Sequence, residues 1–395
     1  MTVALNMYHA VAVAAVLYWL GDRIIQRASF FSRYCIPAPL VGGLIFAAIN
    51  TTLYVVGLPY ITFDATLQTV FMTMFFTSVG FTVSLPLLIK GGKAVVLLLT
   101  LGTVMTLAQN LLGAGILLGM GEDPLLGLAV GSISLVGGPG TAAAMGPDLE
   151  AAGCVGGTVV GLAAATFGLV MGSVMGGPTA RRLIVKHGLT SQSVETSEAE
   201  ETVQTLDSRR FVKGFMLILF CVGLGNAVSA ALQAITRVSW PGYIGAMLVA
   251  VAVRNVMGYR GQEYPEEEVE TIGNMCLAIF LSMAMMTLKL WELVDLALPM
   301  FVVLSAQVLL MFVFSYFVVF RVMGSDYDAA MMTAGFIGFG MGATSNAMAN
   351  MQAVSRQYGP SPTAYFVVPM VGGMFIDFVN VVVVAVMIPL LGSLT

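Results

Sequence analysis

The chain has 395 residues, of which 58% are hydrophobic and 10% charged, with a mean hydropathy of +0.92. Soluble domains carry about 25% charged residues, so exposure to water on all sides is excluded and the chain reads as an integral membrane protein. The formal net charge of −4 decides nothing about partners, because the charges are segregated along the sequence, and nothing points to nucleic acid.

A membrane span takes roughly 20 apolar residues at about 1.5 Å rise per residue. Ten such runs lie near 3–22, 36–57, 67–89, 94–119, 153–178, 211–235, 239–257, 271–290, 296–321 and 363–391. The first lacks the basic n-region and small-residue cleavage pattern of a signal peptide, so it is expected to remain as the first span. Two further stretches, 124–147 and 328–353, are too broken for a simple span and too apolar for an exposed loop. The first contains Gly131-Ser-Ile-Ser-Leu-Val-Gly-Gly-Pro-Gly-Thr141 and the second Gly335-Phe-Ile-Gly-Phe-Gly-Met-Gly-Ala-Thr-Ser-Asn346. Glycine at this density is a poor helix former, and lipid tolerates no unsatisfied backbone. Both stretches are therefore predicted to be re-entrant hairpins. Paired broken segments in corresponding places are the sequence mark of a secondary transporter's binding site.

The polar, acidic stretch 187–208 has no apolar periodicity and reads as a flexible linker. The acidic run from Glu263 to Glu270 reads as a solvated loop or helix start, since its spacing fits no calcium loop. Cys35, Cys154, Cys221 and Cys276 show no metal or disulfide spacing and are expected to act as small apolar residues. An intramembrane hydrolase triad needs a histidine near a nucleophile, and the two histidines, His9 and His187, lie in a terminus-proximal span and in the linker. The chain is not expected to be an enzyme.

Lysine and arginine mark the cytoplasmic side. With five spans in each half, one side receives Arg23, Arg27, Arg33, Lys90, Lys93, Arg181, Arg182, Lys186, Arg209, Arg210, Lys213, Arg254, Arg260, Arg321 and Arg356, and the other only Arg237 and Lys289. Both termini should face out and the central loop the cytoplasm. A shift of 204 residues carries Gly131 onto Gly335, Pro37 onto Pro241, Phe76 onto Phe280, Ser78 onto Ser282, Gly138 onto Gly342 and Gly168 onto Gly372. Acidic residues precede each hairpin, Glu122 and Asp123 in one and Asp326 and Asp328 in the other. The expected architecture is all-α and integral to the membrane: two inverted repeats of five transmembrane helices, each with a re-entrant hairpin. Residues 1–186 form the first repeat, 187–208 the linker and 209–395 the second repeat.

Hairpin tips offer free N–H groups to an anion and carbonyls and hydroxyls to a small cation. Candidate substrate ligands are Ser134, Gly137, Gly138, Gly140 and Thr141 in the first tip, and Gly342, Thr344, Ser345 and Asn346 in the second, Gly340 also allowing close approach. The bland alternative is that these glycines only permit tight helix packing. Asp377 is the only acid in the run from Phe366 to Leu391, and Asn380 shares its helix face. The two could ligate a cation, hold a substrate ammonium, or form a structural pair between helices. Gln109, Asn110 and Gln307 read as interhelical hydrogen-bonding residues, Lys289 and Arg254 as snorkelling span-end residues, and the 27 methionines as packing.

Gly137-Gly-Pro-Gly-Thr141, Thr166-Phe-Gly168, Lys289-Leu-Trp-Glu-Leu293, Gly338-Phe-Gly-Met-Gly-Ala-Thr344, Ala349-Asn-Met-Gln352, and Val368-Pro-Met-Val-Gly372 with Asp377 and Asn380 follow one another in an order that resembles the sodium/glutamate symporter family of bacterial inner membranes. The resemblance covers nearly the whole chain. It implies sodium-driven uptake of L-glutamate by a homodimer, with sodium as coupling ion and no organic cofactor. It also implies an elevator-like motion of a hairpin-bearing domain against a dimerising scaffold, for which the spans near 36–57 and 239–257 are candidates. Asp377, Asn380, Thr166 and Thr344 are the candidate sodium ligands. Pro139 and Ser345-Asn346 depart from the family pattern, which commonly has histidine at the first place and a proline-containing pair at the second. A symporter of another carboxylate, such as a hydroxy-acid, and a channel are the competing readings.

Overall fold

The computed structural model describes residues 2–28, 36–86, 92–191, 207–236, 242–290 and 296–393. The linker reading falls almost wholly on residues outside this set (192–206), as do Cys35, Arg33, Lys90 and Arg237, and Trp291 to Leu293 of the Lys289 motif.

A strand, β1 (Thr2–Leu5), precedes the first helix, α1 (Met7–Arg27). The expected span began at residue 3, but Asn6 caps the helix: its Oδ1 accepts the Tyr8 and His9 amides, each at 3.1 Å. Helix α2 (Ala38–Val55) starts behind Pro37 with Pro39 in its first turn. Strand β2 (Tyr60–Phe63) pairs in parallel with β1, Thr2 opposite Tyr60 and Leu5 opposite Phe63. The described chain is otherwise helical. Then come α3 (Thr66–Thr82), α4 (Gly92–Met120), the short α5 (Leu125–Ala129) and α6 (Ser132–Leu135), α7 (Gly138–Ala151), α8 (Gly157–His187), α9 (Ser208–Thr236), α10 (Gly242–Tyr259) and α11 (Glu266–Met286). Helix α12 (Ala297–Val322) contains a π-helical turn at Ser315–Val319. Helices α13 (Tyr327–Met341) and α14 (Thr344–Tyr358) follow, then α15 (Pro362–Gly392), with a second π-helical turn at Val371–Phe375. Among the described residues, α2, α4, α8, α9, α11, α12 and α15 are long and apolar enough to cross a membrane.

The acids before the broken segments act as helix starts. Asp123 Oδ1 accepts the Leu125 amide at 2.8 Å, and Asp326 Oδ1 the Ala329 amide at 2.8 Å. The acidic run before α11 places Glu266, Glu267 and Glu268 in its first turn, where the helix dipole favours them. Glu268 is not solvated as expected: it is buried and pairs with Arg210 at 3.1 Å. Lys213 donates to the Glu263 carbonyl at 2.9 Å, which brings the basic start of α9 to the α10–α11 loop.

The chain divides into two compact units, and each draws on both halves of the sequence. The first comprises Met1–Val83, Pro139–Leu162 and Asp207–Leu298. Its core joins Met74 and Phe81 of α3 to Ile218 and Cys221 of α9, Ala250 of α10, and Val269, Ile272 and Cys276 of α11. Glycine lets these helices approach closely: a Cβ on Gly42 would strike the Leu17 carbonyl of α1, and one on Gly225 would lie 2.5 Å from the Ala246 backbone. Val212, Met216, Leu219, Phe220 and Leu224 leave α9 with an exposed apolar face. The second unit comprises Ser84–Gly138, Ala163–Leu206 and Pro299–Thr395.

These close approaches separate two kinds of glycine. Gly42→Val should lower the melting point of purified protein by the equivalent of about 1–3 kcal/mol, the usual cost of overpacking. Gly223→Ala on α9, where an added Cβ meets nothing within 4 Å, should leave melting unchanged or raise it slightly, since alanine is the better helix former. Thermal unfolding of the two variants side by side checks the contrast.

Candidate substrate and ion site

The second unit is organised around an interrupted helix. Helix α13 stops at Met341, Gly342 leaves the helical conformation, Ala343 is extended, and α14 starts at Thr344. The Gly338 carbonyl accepts the amides of Gly342 and Ala343, the latter at 3.0 Å. The two arms lie antiparallel. Gly338 abuts Ala347, Gly335 faces the Met351 sulfur, and Asn350 Nδ2 reaches the Ala334 carbonyl at 3.4 Å. Each arm has 15 residues, about 22 Å of helix, too short for the roughly 30 Å hydrocarbon core.

Other elements of the unit close on this break. Gly138, at φ +67, would bring a Cβ to 3.2 Å from the Gly342 carbonyl. Helix α8 presents Gly168, Gly172 and Gly176 along one face. A Cβ on Gly168 would lie 2.5 Å from the Met341 carbonyl, one on Gly172 would lie 3.4 Å from the Gly338 carbonyl, and one on Gly176 would strike Asn350. Polar bonds seal the same seam: Asn346 Nδ2 donates to the Leu169 carbonyl at 2.6 Å and to Ser173 Oγ at 3.0 Å, and Asn350 Nδ2 to the Gly172 carbonyl at 2.9 Å. Thr344 Oγ1 donates to the Gly372 carbonyl, 2.7 Å away in the π-helical turn of α15. Such turns recur at functional sites. From α4, Gln109 Nε2 donates to the Gly340 carbonyl at 2.9 Å, and from α12, Gln307 Nε2 donates to the Gln109 carbonyl at 2.8 Å.

Of the residues expected at the site, Gly138 and Gly342 meet, Gly137 is half-buried beside them, and Thr344 is half-buried and tied to α15. Thr166 is half-buried on α8, two residues before Gly168. Asn380 is fully buried and donates to the Ser132 carbonyl at 3.0 Å. Asp377 is half-buried one turn earlier, and among the described residues no hydrogen bond or ion pair reaches its carboxylate. Ser134 is buried and donates to the Ala129 carbonyl. Ser345 is exposed, whereas Asn346 is buried and engaged with α8. Gly140 and Thr141 fall in the first unit, where the neighbours of Gly140 are Phe75 and Leu277. The sequence reading missed Ser132, Gly172 and Gly176. Spacing of four along α8 was the available signal for the two glycines.

A helical pair broken at glycine, held by polar side chains inside an apolar helical unit, is the build of a membrane transporter. The profile of the family described as sodium/glutamate symporter matches residues 3–360. A sodium/glutamate symporter of Escherichia coli (strain K12) is 40% identical over 392 residues, covering 96% of this chain and 97% of that protein. One from Haemophilus influenzae is 36% identical over 391 residues, covering 96% of each. A sodium/proton antiporter structure from Methanocaldococcus jannaschii aligns over 98% of both chains at 13% identity and a TM-score of 0.45, a distant likeness. The chain belongs to the sodium/glutamate symporter family, a family of transporters and not of enzymes.

Neighbouring residues at the α14 start have opposite fates, which gives a test. Asn346→Ala leaves the Leu169 carbonyl without its donor and should cost about 1–3 kcal/mol of stability. Ser345→Ala, on the exposed side, should stay within about 0.5 kcal/mol. Melting of the two variants, read by the same assay, distinguishes a packing role for Asn346 from a purely ligand role.

Proposed function

We propose that the protein is a sodium-coupled importer of L-glutamate in the bacterial inner membrane, working as a homodimer by an elevator-like alternating-access mechanism with no organic cofactor. Family membership supports the substrate and the ion. The observation that carries the mechanism is the meeting of Gly138 and Gly342. These residues correspond under the 204-residue shift, and a residue that touches its own counterpart sits at a pseudo-two-fold axis. That supports two inverted repeats whose broken segments, 124–147 and 328–353, enter as re-entrant hairpins from opposite sides. The composition of the units supports it again. The first takes α1–α3 from one half and α9–α11 from the other, and the second takes α4 and most of α8 with α12 and α15. On this reading the first unit, which includes α2 and α10, is the scaffold, and the second is the moving domain. Both termini face out and the linker 187–208 lies in the cytoplasm, as the charge segregation supports.

In this mechanism the amides of Gly137, Gly138 and the start of α14 receive substrate carboxylates, where helix N-termini favour anions. The hydroxyls of Ser134, Thr344 and Ser345 complete the candidate set of this unit with Gly342 and Asn346. Asp377 offers the one acid of α15 to the substrate ammonium or to sodium, with Asn380, Thr166 and Thr344 as the accompanying oxygens.

In proteoliposomes, glutamate uptake should collapse when the sodium gradient is replaced by potassium, and uptake indifferent to sodium would sink the coupling. An excess of a hydroxy-acid outcompeting glutamate would shift the substrate assignment within the carboxylates. Asp377→Asn should weaken sodium or glutamate binding about 10- to 100-fold, the equivalent of a hydrogen bond to a charged group at about 1.5–3 kcal/mol, while the protein stays folded. Unchanged transport kinetics in that variant would remove Asp377 from the site.

A further inference from the structure

Four buried side-chain oxygens of the second unit have no hydrogen-bond partner among the described residues: Gln109 Oε1, Ser132 Oγ, Gln307 Oε1 and Asn380 Oδ1. All four residues are fully buried. Buried polar groups are nearly always paired, and each unpaired acceptor costs about 1–3 kcal/mol. Their residues gather at one short piece of chain, the Gly131–Ser132 break between α5 and α6, Gln109 through its backbone carbonyl while its side chain turns to Gly340. Asn380 Nδ2 holds the Ser132 carbonyl at 3.0 Å, and Asn110 Oδ1 holds the Ser132 amide at 2.9 Å. Gln307 Nε2 holds the Gln109 carbonyl at 2.8 Å, and that carbonyl lies 3.2 Å from where a Cβ on Gly131 would stand. Gln109 Nε2 holds the Gly340 carbonyl at 2.9 Å.

In each carboxamide the NH2 group is anchored on a backbone carbonyl, so the orientation of the amide is fixed and its oxygen is turned the other way. The result is three oxygens that can only accept, together with one hydroxyl, Ser132 Oγ, that has no partner among the described residues. Neutral oxygens of this kind, hydroxyl and carboxamide, are ligands that a small monovalent cation accepts. The oxygens are neutral, so the set lacks the carboxylates that a divalent ion demands, and it lacks the nitrogen and sulfur that a transition metal prefers. Asp377 lies one turn before Asn380 on the same face of α15 and would supply one negative charge when ionised.

We propose that the Gly131–Ser132 break is a sodium site, with Ser132 Oγ, Asn380 Oδ1, Gln109 Oε1 and Gln307 Oε1 as its ligands. The proposal rests on sodium coupling being the protein's function and assigns the coupling ion a place of its own. The ion draws together α4, α12, α15 and the first broken segment. Through Gln109 and Gly340 it reaches the second break, two residues from Gly342. Occupancy of the ion site thereby bears on the geometry of the glutamate site, and by linkage glutamate must tighten sodium in return.

Ser132→Ala is the leading variant, because Ser132 Oγ bonds to nothing among the described residues and the substitution removes only that oxygen. Gln307→Met, which keeps the volume, is the second. In proteoliposomes the sodium concentration for half-maximal glutamate uptake should rise at least tenfold in Ser132→Ala, with glutamate affinity restored at saturating sodium. In detergent, the melting point of the full-length wild-type protein should rise with sodium chloride but not with potassium or choline chloride, and Ser132→Ala should lose that rise. A sodium dependence within twofold of wild type in both variants, with wild-type uptake still sodium-driven, would mean that the oxygens bind water only and would overturn the site alone. Wild-type uptake indifferent to sodium would defeat the functional reading instead. The site then stands or falls on whether the sodium-specific rise in melting is present in wild type and lost in Ser132→Ala.

Discussion

A helix that stops inside an apolar protein strands the carbonyls of its last turn and the amides of the next, and in lipid each stranded group costs several kcal/mol. The second unit is arranged around meeting that demand at two places. At the Gly342 break the freed groups are taken up locally by the Gly338 carbonyl, and from outside by Gln109 on Gly340. At the Gly131–Ser132 break Asn110 and Asn380 hold the amide and the carbonyl of one residue, Ser132. Most polar side chains buried in α4, α12, α14 and α15 are thereby explained as backbone partners. The oxygens left over are what make the first break different from the second.

Glycine provides the room in which those bonds form. On α8, Gly168, Gly172 and Gly176 allow the helix to lie directly on α13 and α14, and this closeness puts the Leu169 and Gly172 carbonyls within reach of Asn346 and Asn350. The glycine-packing reading and the functional reading, which compete at the level of sequence, are both satisfied here by different glycines. The α8 glycines serve packing. Gly138 and Gly342 lie where two broken segments face each other, and Gly138 has a left-handed φ that side chains rarely adopt.

Much of this was legible in the sequence because membrane folds are constrained by length and polarity. A helix occupies each of the ten apolar runs, and the second broken segment interrupts at the glycine the composition marked. The start of α1 was not legible from hydropathy, since residues 3–5 are as apolar as those that follow; one asparagine cap sets it. The acids before each broken segment were visible as a repeat, but their work as caps needed the backbone geometry. Gln109 and Gln307 were recognised as joining helices, and they do. Which atom of each carboxamide is engaged, and which is left facing other oxygens, is a property of three-dimensional placement alone. The same holds for Gly140 and Thr141, which follow the first tip in sequence yet pack in the first unit.

The chemistry of the proposed site also suggests an order of events. On this proposal, an anionic substrate approaching the α14 start would meet a favourable helix dipole but also Asp377, whose carboxyl has no hydrogen-bond or ion-pair partner among the described residues and would repel it when ionised. Like charges in a poorly screened interior repel over many ångströms. A monovalent cation on Asn380 and Ser132, next to Asp377 on the same helix face, cancels that charge. It leaves the dipole of α14 as the dominant field felt by a carboxylate. On this proposal, sodium bound first would make the glutamate site hospitable, and glutamate bound second would hold the sodium in place. Neutral ligands suit this task because they release the ion readily once the anion has gone. A cage of carboxylates would hold it, and an importer that cannot let go of its coupling ion cannot turn over.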